Sequence, residues 1–211
     1  MKAVIVSGGT PPSYELIKQE LQDSSCLICA DSGANCLYKY NISPDIIVGD
    51  LDSIHEDALN CFRNKNTNIL KYPREKDCTD TEIALDKAIE LGANEIVLLG
   101  STGSRIDHLL GNIGMLLKCL KLDVSATIKD EHNSIRVINK PIKVKGNIGN
   151  TFSLISYYED VENLSISGAK YPLNNHYLEV GSALGISNEF LEKEVNITFT
   201  KGVLMVIFSK D

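Results

Sequence analysis

Residues 80–100 read DTEIALDKAIELGANEIVLLG, and this stretch decides the fold class. Leu85, Ala88 and Ile89 recur at the spacing of a helix that buries one face, with Leu91 one position short of a full two-turn repeat. Gly92 then stands where a helix C-cap favours glycine. Glu95–Leu99 follows as a short β-rich run, and it ends at Gly100. A helix, a glycine stop and a strand in that order form one unit of an α/β alternation.

The alternation extends in both directions from this unit. Strand candidates are Ala3–Val6, Cys26–Ala30, Ile46–Val48, Asn68–Tyr72, Glu95–Leu99 and Val124–Ile128, and further amphipathic stretches cover Ser13–Leu21 and Ile106–Leu120. Most of these strands are continuous apolar runs, as expected when both faces of a parallel sheet are covered by helices. After about residue 130 helical periodicity stops. Short β runs (Ser134–Ile138, Thr151–Tyr157, Leu164–Ser167, Val195–Thr200, Val203–Ser209) alternate with Gly, Asn and Pro. Thr200-Lys201-Gly202-Val203 has the composition of a hairpin turn between the last two runs. The expected architecture is α/β: an N-terminal, mostly parallel sheet with helices on both faces over 1–130, then a small all-β sandwich or barrel-like domain over 131–211. No linker separates them, so close packing and a site between them are expected.

Composition excludes several classes of function. With 43% apolar and 23% charged residues the chain is an ordinary globular protein, and its formal net charge of −7 argues against nucleic acid as a partner. No apolar run reaches membrane-spanning length and the N-terminal run is too short for a signal peptide, so the expected compartment is the cytoplasm. Six cysteines include Cys26-x-x-Cys29. On a strand those two thiols face opposite sides, and no second pair completes a zinc site, so they read as buried free thiols.

The chemistry concentrates in acids at strand-to-helix junctions, where open α/β sheets bind ligands. Gly49-Asp50-Leu51-Asp52-Ser53 follows an apolar strand. In extended chain Asp50 and Asp52 share a face roughly 6–7 Å apart, a spacing at which two bare carboxylates repel by about 2–3 kcal/mol. A divalent cation such as Mg²⁺ removes that repulsion and keeps coordination sites for phosphate oxygens. Gly49 would allow close backbone approach to a ligand. Taken alone, Asp52 or Ser53 reads as the cap of a helix starting near His55, and Asp31 as another N-cap. Asp77 and Asp80 flank a further helix start, where Thr79 and Glu82 have capping-box spacing. Five acids at junctions along one sheet edge point beyond capping. Gly100-Ser101-Thr102-Gly103-Ser104-Arg105 then leads from a strand into a helix, an arrangement suited to anions, with Arg105 able to fork onto phosphate and His108 on its face. It is not a P-loop, because the Lys-Ser/Thr pair is absent.

In order and spacing these segments resemble the thiamine pyrophosphokinases. The resemblance runs through Asp31–Asn35, Pro44-Asp45, Gly49–Ser53, Lys76–Asp80 and Gly100–His108. It continues in Lys170-Tyr171-Pro172-Leu173 and Gly185–Glu189. Ser32 stands where the family often has Gly, and Tyr171 where it often has Trp. The resemblance implies transfer of pyrophosphate from ATP to thiamine, giving thiamine diphosphate and AMP. It implies Mg²⁺ on Asp50, Asp52 and Asp80, with Asp31 among the catalytic residues. Nucleotide contacts would come from Asp77, Thr79, Ser101, Thr102, Arg105, Asp107 and His108, and thiamine contacts from Tyr171, Ser187 and Asn188. It further implies a homodimer whose sites lie between the α/β domain of one subunit and the β domain of its partner. Asp31 or Asp80 would accept the thiamine hydroxyl proton. Two other readings stay open on the residues alone: a thiamine or nucleotide sensor without turnover, and a nucleotide-sugar transferase using Asp50-x-Asp52 for its metal.

Overall fold

A computed structural model describes residues 1–210. The chain forms two compact units, Met1–Glu131 and a second that begins at His132. The first holds strands β1 (Lys2–Val6), β2 (Cys26–Ala30), β3 (Ile46–Gly49), β4 (Asn68–Lys71), β5 (Glu95–Leu99) and β6 (Ser125–Lys129). They alternate with helices α1 (Tyr14–Leu21), α2 (Gly33–Lys39), α3 (Glu56–Asn64), α4 (Asp80–Glu90) and α5 (Ile106–Lys121). Every pairing among these strands is parallel, in the order β6-β5-β1-β2-β3-β4. The chain steps outward from β1 to β4 and returns through α4 to lay β5 against the other side of β1. This makes β1/β5 the topological switch point, the place where open α/β sheets leave a crevice at the strands' carboxyl ends.

The opening stretch behaves as its sequence dictates. Thr79 caps α4, its Oγ accepting from the Glu82 N–H at 3.2 Å. The far end closes in a Schellman motif at Gly92 (φ +87°): the Gly92 N–H donates to Ile89 O at 2.9 Å and the Ala93 N–H to Ala88 O at 3.0 Å. Ile83, Ala84, Leu85 and Ala88 form the buried face, whereas Leu91, past the last turn, is 45% exposed. Cys29 joins the core that α1, α2 and α3 cover, together with Val4, Val6, Leu27 and Val97. Cys26, an odd number of residues away, points to the opposite face, and all six cysteines are free.

One buried acid secures this unit. Glu20 of α1 has a side chain only 4% exposed; Lys2 Nζ of β1 lies 3.0 Å from its Oε2 and Lys129 Nζ of β6 2.6 Å from its Oε1. Burial alone would raise its pKa, but hydrogen bonds from Lys129 and Lys2 outweigh it and hold the carboxyl below its ordinary range. Glu20→Gln is expected to lower stability at neutral pH by about 2 kcal/mol, because Lys129 loses its buried counter-charge and Lys2 keeps only the exposed Asp23, 2.6 Å away. A group with a depressed folded pKa stabilises above its unfolded pKa and stops doing so as pH falls through the folded value. Urea unfolding should therefore show the two proteins converging in acid.

The second unit contains β7 (Asn133–Ile138), β8 (Ile142–Lys145), β9 (Thr151–Ser156), β10 (Val161–Ser167), β11 (Leu173–Leu178), β12 (Asn188–Glu189), β13 (Glu194–Thr198) and β14 (Leu204–Ser209). Its strands form two antiparallel layers, β12-β9-β14-β7 and β11-β10-β13-β8. Alternate residues of both layers (Phe152, Leu154, Leu204 and Val206 from one, Leu164, Ile166, Val195 and Ile197 from the other) share one core, which makes a sandwich. The expected hairpin at Thr200–Val203 does not form, because β13 and β14 lie in different layers. The Lys201 carbonyl instead accepts from the Glu162 N–H at 3.0 Å, and Gly202 (φ +111°) turns the chain across to the other layer.

Candidate active site

All the sequence-derived acids lie where strands of the first unit end. Asp31 follows β2, Asp50 and Asp52 follow β3, and Asp77 and Asp80 follow β4. Local geometry brings three of them together: one carboxylate oxygen each from Asp31, Asp50 and Asp52 lies within 4.8 Å of the others. The route differs from an extended i, i+2 pair. Leu51 has φ +71°, and the chain folds back so that the Asp52 N–H donates to Asp50 Oδ1 at 3.0 Å. Neither Asp52 nor Ser53 caps α3, whose N-cap residue is His55; Ser53 Oγ donates instead to Asp52 Oδ1 at 2.8 Å. Asp31 is no cap either, since that position of α2 belongs to Ser32. Gly49 (φ +145°) makes room for Asp31 rather than for a ligand: a Cβ there would sit 3.1 Å from Asp31 Cβ. Asn35 secures the turn, donating to Ser53 O at 2.9 Å and accepting from the His55 N–H at 2.8 Å.

Burial and like charge dominate the electrostatics of this group. Burial, and then the charges of Asp80 and Asp50, push the Asp31 pKa up against a backbone hydrogen bond from Ser32. Asp31 Oδ1 is buried and has no hydrogen-bond partner, a costly state for a carboxylate oxygen. Asp50 is held below its ordinary range, first by the Asp52 N–H. Asp80 stands beside the three; Lys76 Nζ lies 2.9 Å from its Oδ1, which is likewise buried and accepts no hydrogen bond among the described residues. Three carboxylates around an unsatisfied oxygen fit a hard divalent cation.

Asp31, Asp50 and Asp80 line a cleft of about 670 Å³ that also takes in the β1–α1 turn and the glycine-rich loop after β5, and Asp52 lies beside it. The two loops continue the β1/β5 pairing beyond the sheet. The Ser7 N–H donates to Leu99 O at 2.9 Å, Gly9 N–H to Gly100 O at 2.8 Å and Thr10 N–H to Thr102 O at 2.7 Å. Thr81 Oγ1 donates to the buried Ser7 Oγ at 3.0 Å and ties α4 to the same floor. Of the sequence-derived nucleotide residues, Thr79, Ser101, Thr102, Arg105 and His108 line the cleft. Asp107 lies outside it, lining a smaller recess of about 230 Å³ against α4. Asp77 is exposed and lines neither. Arg105 is the N-cap residue of α5 rather than a helical neighbour of His108, and its guanidinium is engaged: Nε lies 3.2 Å from Asp107 Oδ1 and Nη2 2.5 Å from Oδ2. That pair holds the Asp107 carboxyl at about 2.

Sequence reasoning missed Ser7–Thr10, Lys76 and Asn112 as cleft residues. Ser7-Gly8-Gly9-Thr10 carries no charge and reads as a plain turn; its only signal is the glycine pair that ends the first strand. In the second unit, Tyr171 is 57% exposed, with Lys170 Nζ 5.6 Å from its ring centre. Ser187 is exposed at φ +59°. Asn188 is 3% exposed and its amide is used within the chain: Oδ1 accepts from the Tyr171 N–H at 3.0 Å and Nδ2 donates to Tyr171 O at 2.8 Å. Asn188 therefore positions Tyr171 and the segment around Ser187.

Residues 17–128 match the family model "Thiamin pyrophosphokinase, catalytic domain", and residues 138–204 match "Thiamin pyrophosphokinase, vitamin B1 binding domain". A thiamine pyrophosphokinase of Bacillus subtilis (strain 168) is 34% identical over 214 residues, covering 100% of both chains. The crystal structure of thiamine pyrophosphokinase from Bacillus subtilis superposes with a TM-score of 0.91 at 32% identity, again over 100% of both chains. That of the Geobacillus thermodenitrificans protein gives 0.87 at 35% identity, over 100% of this chain and 98% of that one. With both family models matched in order and a relative at this identity aligned from end to end, the chain belongs to the thiamine pyrophosphokinase family.

Proposed function

We propose that this chain transfers the terminal pyrophosphoryl group of ATP to the hydroxyl of thiamine, giving thiamine diphosphate and AMP. The observation that carries the reading is the Asp31–Asp50–Asp52 group, with its unpartnered buried oxygen, at the mouth of a cleft floored by a glycine-rich loop. Mg²⁺ would be held by Asp31, Asp50 and Asp52, with Asp80 beside them, and would supply charge neutralisation to the phosphates. The first domain, 1–130, takes ATP, and the second, 131–211, takes thiamine.

Pyrophosphoryl transfer asks for positioning and charge compensation more than for covalent help. The Gly100–Ser104 loop offers N–H groups at the start of α5. Arg105 must leave Asp107 to reach the triphosphate, so Asp107 stores the guanidinium at the cleft rim. Asp80, with Lys76 Nζ 2.9 Å from its Oδ1, accepts the thiamine hydroxyl proton. Thiamine is a cation, and the Tyr171 face that Lys170 now covers suits it. Tyr171→Ala should raise the thiamine KM about tenfold while the ATP KM stays within twofold; an unchanged thiamine KM would remove the ring from the site. We also take the working unit to be a homodimer in the cytoplasm. Free thiols throughout suit a reducing compartment, and no described helix is long and apolar enough to cross a membrane. Light scattering should return twice the chain mass; a monomer mass would overturn the dimer.

The test is AMP release by the purified chain from ATP and Mg²⁺, with and without thiamine. The proposal requires thiamine-dependent AMP with equimolar thiamine diphosphate. ATP binding without thiamine-dependent AMP would sink it.

A further inference from the structure

One buried amide in the cleft wall has no part in the chemistry described above. Asn112, in the second turn of α5, is 7% exposed and lines both the main cleft and the smaller recess. Asparagine is a poorer helix former than leucine, and a buried amide is costly unless it is hydrogen-bonded. Asn112 Nδ2 donates to the Ser101 carbonyl at 2.6 Å.

That bond completes a pattern. The Gly100 carbonyl accepts from the Gly9 N–H, the Ser101 carbonyl from Asn112, and the Thr102 carbonyl from the Thr10 N–H. Three successive carbonyls of the glycine-rich loop are thus tied into the fold. Among the described residues, no backbone carbonyl claims the N–H groups of Thr102, Gly103 or Ser104. A carbonyl oxygen turned toward a triphosphate repels it, whereas free N–H groups attract it. The two outer carbonyls are held by backbone, which any sequence supplies. The middle one depends on a side chain.

We infer that Asn112 is a positioning residue for the nucleotide, locking the Ser101 carbonyl onto α5 so that the loop presents N–H groups to the phosphates. The inference rests on the proposed use of ATP. Asn112→Asp keeps the size of the side chain but replaces the donor with an oxygen that repels the carbonyl. Its ATP KM should rise about tenfold, the scale of one buried hydrogen bond left unsatisfied, with the thiamine KM within twofold. The Kd of ATP measured without thiamine should rise in parallel. Asn112→Ser, which tests the same contact with a shorter donor, serves if Asn112→Asp does not fold. A folded variant whose ATP KM and Kd stay within twofold of wild type overturns the inference. So does a rise in both substrates' KM together with a fall in Tm, which would mark Asn112 as merely structural. Wild-type protein that binds ATP but releases no AMP with thiamine would defeat the proposed reaction instead, and the ATP Kd would still decide the role of Asn112.

Discussion

Asp50→Asn is expected to lower kcat about a thousandfold, the effect of losing several kcal/mol of metal-borne charge stabilisation. The fold should survive the change. Asp50 Oδ1 accepts from the Asp52 N–H, and an asparagine oxygen can accept the same bond, so the turn at Leu51 keeps its support. What is lost is one of the negative charges that make the site attractive to a cation. Part of the loss should be recovered at high Mg²⁺ concentration if the remaining ligands still bind it weakly. A steady-state assay across a Mg²⁺ titration, with Tm as the control for folding, checks this. Turnover within tenfold of wild type at ordinary Mg²⁺ would remove Asp50 from the metal site.

Asp31→Asn should separate activity from stability. Asp31 carries a buried oxygen without a partner and faces the charges of Asp50 and Asp80. Without a cation the native protein bears that repulsion, and the variant does not. Its Tm in the presence of EDTA should rise by about 1–3 °C, a modest gain because solvent still reaches this half-buried group. Its kcat should fall at least about a hundredfold. Added Mg²⁺ should raise the Tm of wild type and leave that of the variant unchanged. Functional sites commonly hold strain of this kind at the expense of stability. A variant with lower Tm in EDTA and normal turnover would show that Asp31 is a structural acid.

What the sequence revealed, and what it concealed, follow from how local each signal is. Strands β2 and β5 were legible to the residue because both faces of a parallel sheet are buried and their apolar runs stop at polar neighbours. Helix α4 was legible through its cap, its period and Gly92. The acids were legible as a set, since each stands at a strand end, but their spatial grouping was not. It depends on the positive φ of Leu51 and on the close approach of Asp31 to Gly49, neither of which has a local signature. The resemblance named Asp50, Asp52 and Asp80 as metal ligands; Asp31 joins Asp50 and Asp52 in the tightest group, with Asp80 beside it next to Lys76. Thr200–Val203 reads as a hairpin because turn residues do not say which strand the next one pairs with; β14 has partners in β7 and β9, both distant in sequence. Asn112 was invisible because an asparagine in an amphipathic helix reads as surface until its partner, eleven residues earlier, is in place.

The proposed reaction moves the β- and γ-phosphates of ATP to thiamine as one group. ATP labelled in one experiment at the β-phosphorus and in another at the γ-phosphorus, incubated with the protein, Mg²⁺ and thiamine, tests that claim most directly. Both labels should enter thiamine diphosphate to the same extent, with unlabelled AMP formed in equal amount. Transfer of the γ label alone, with labelled ADP remaining from the β-labelled substrate, would contradict it.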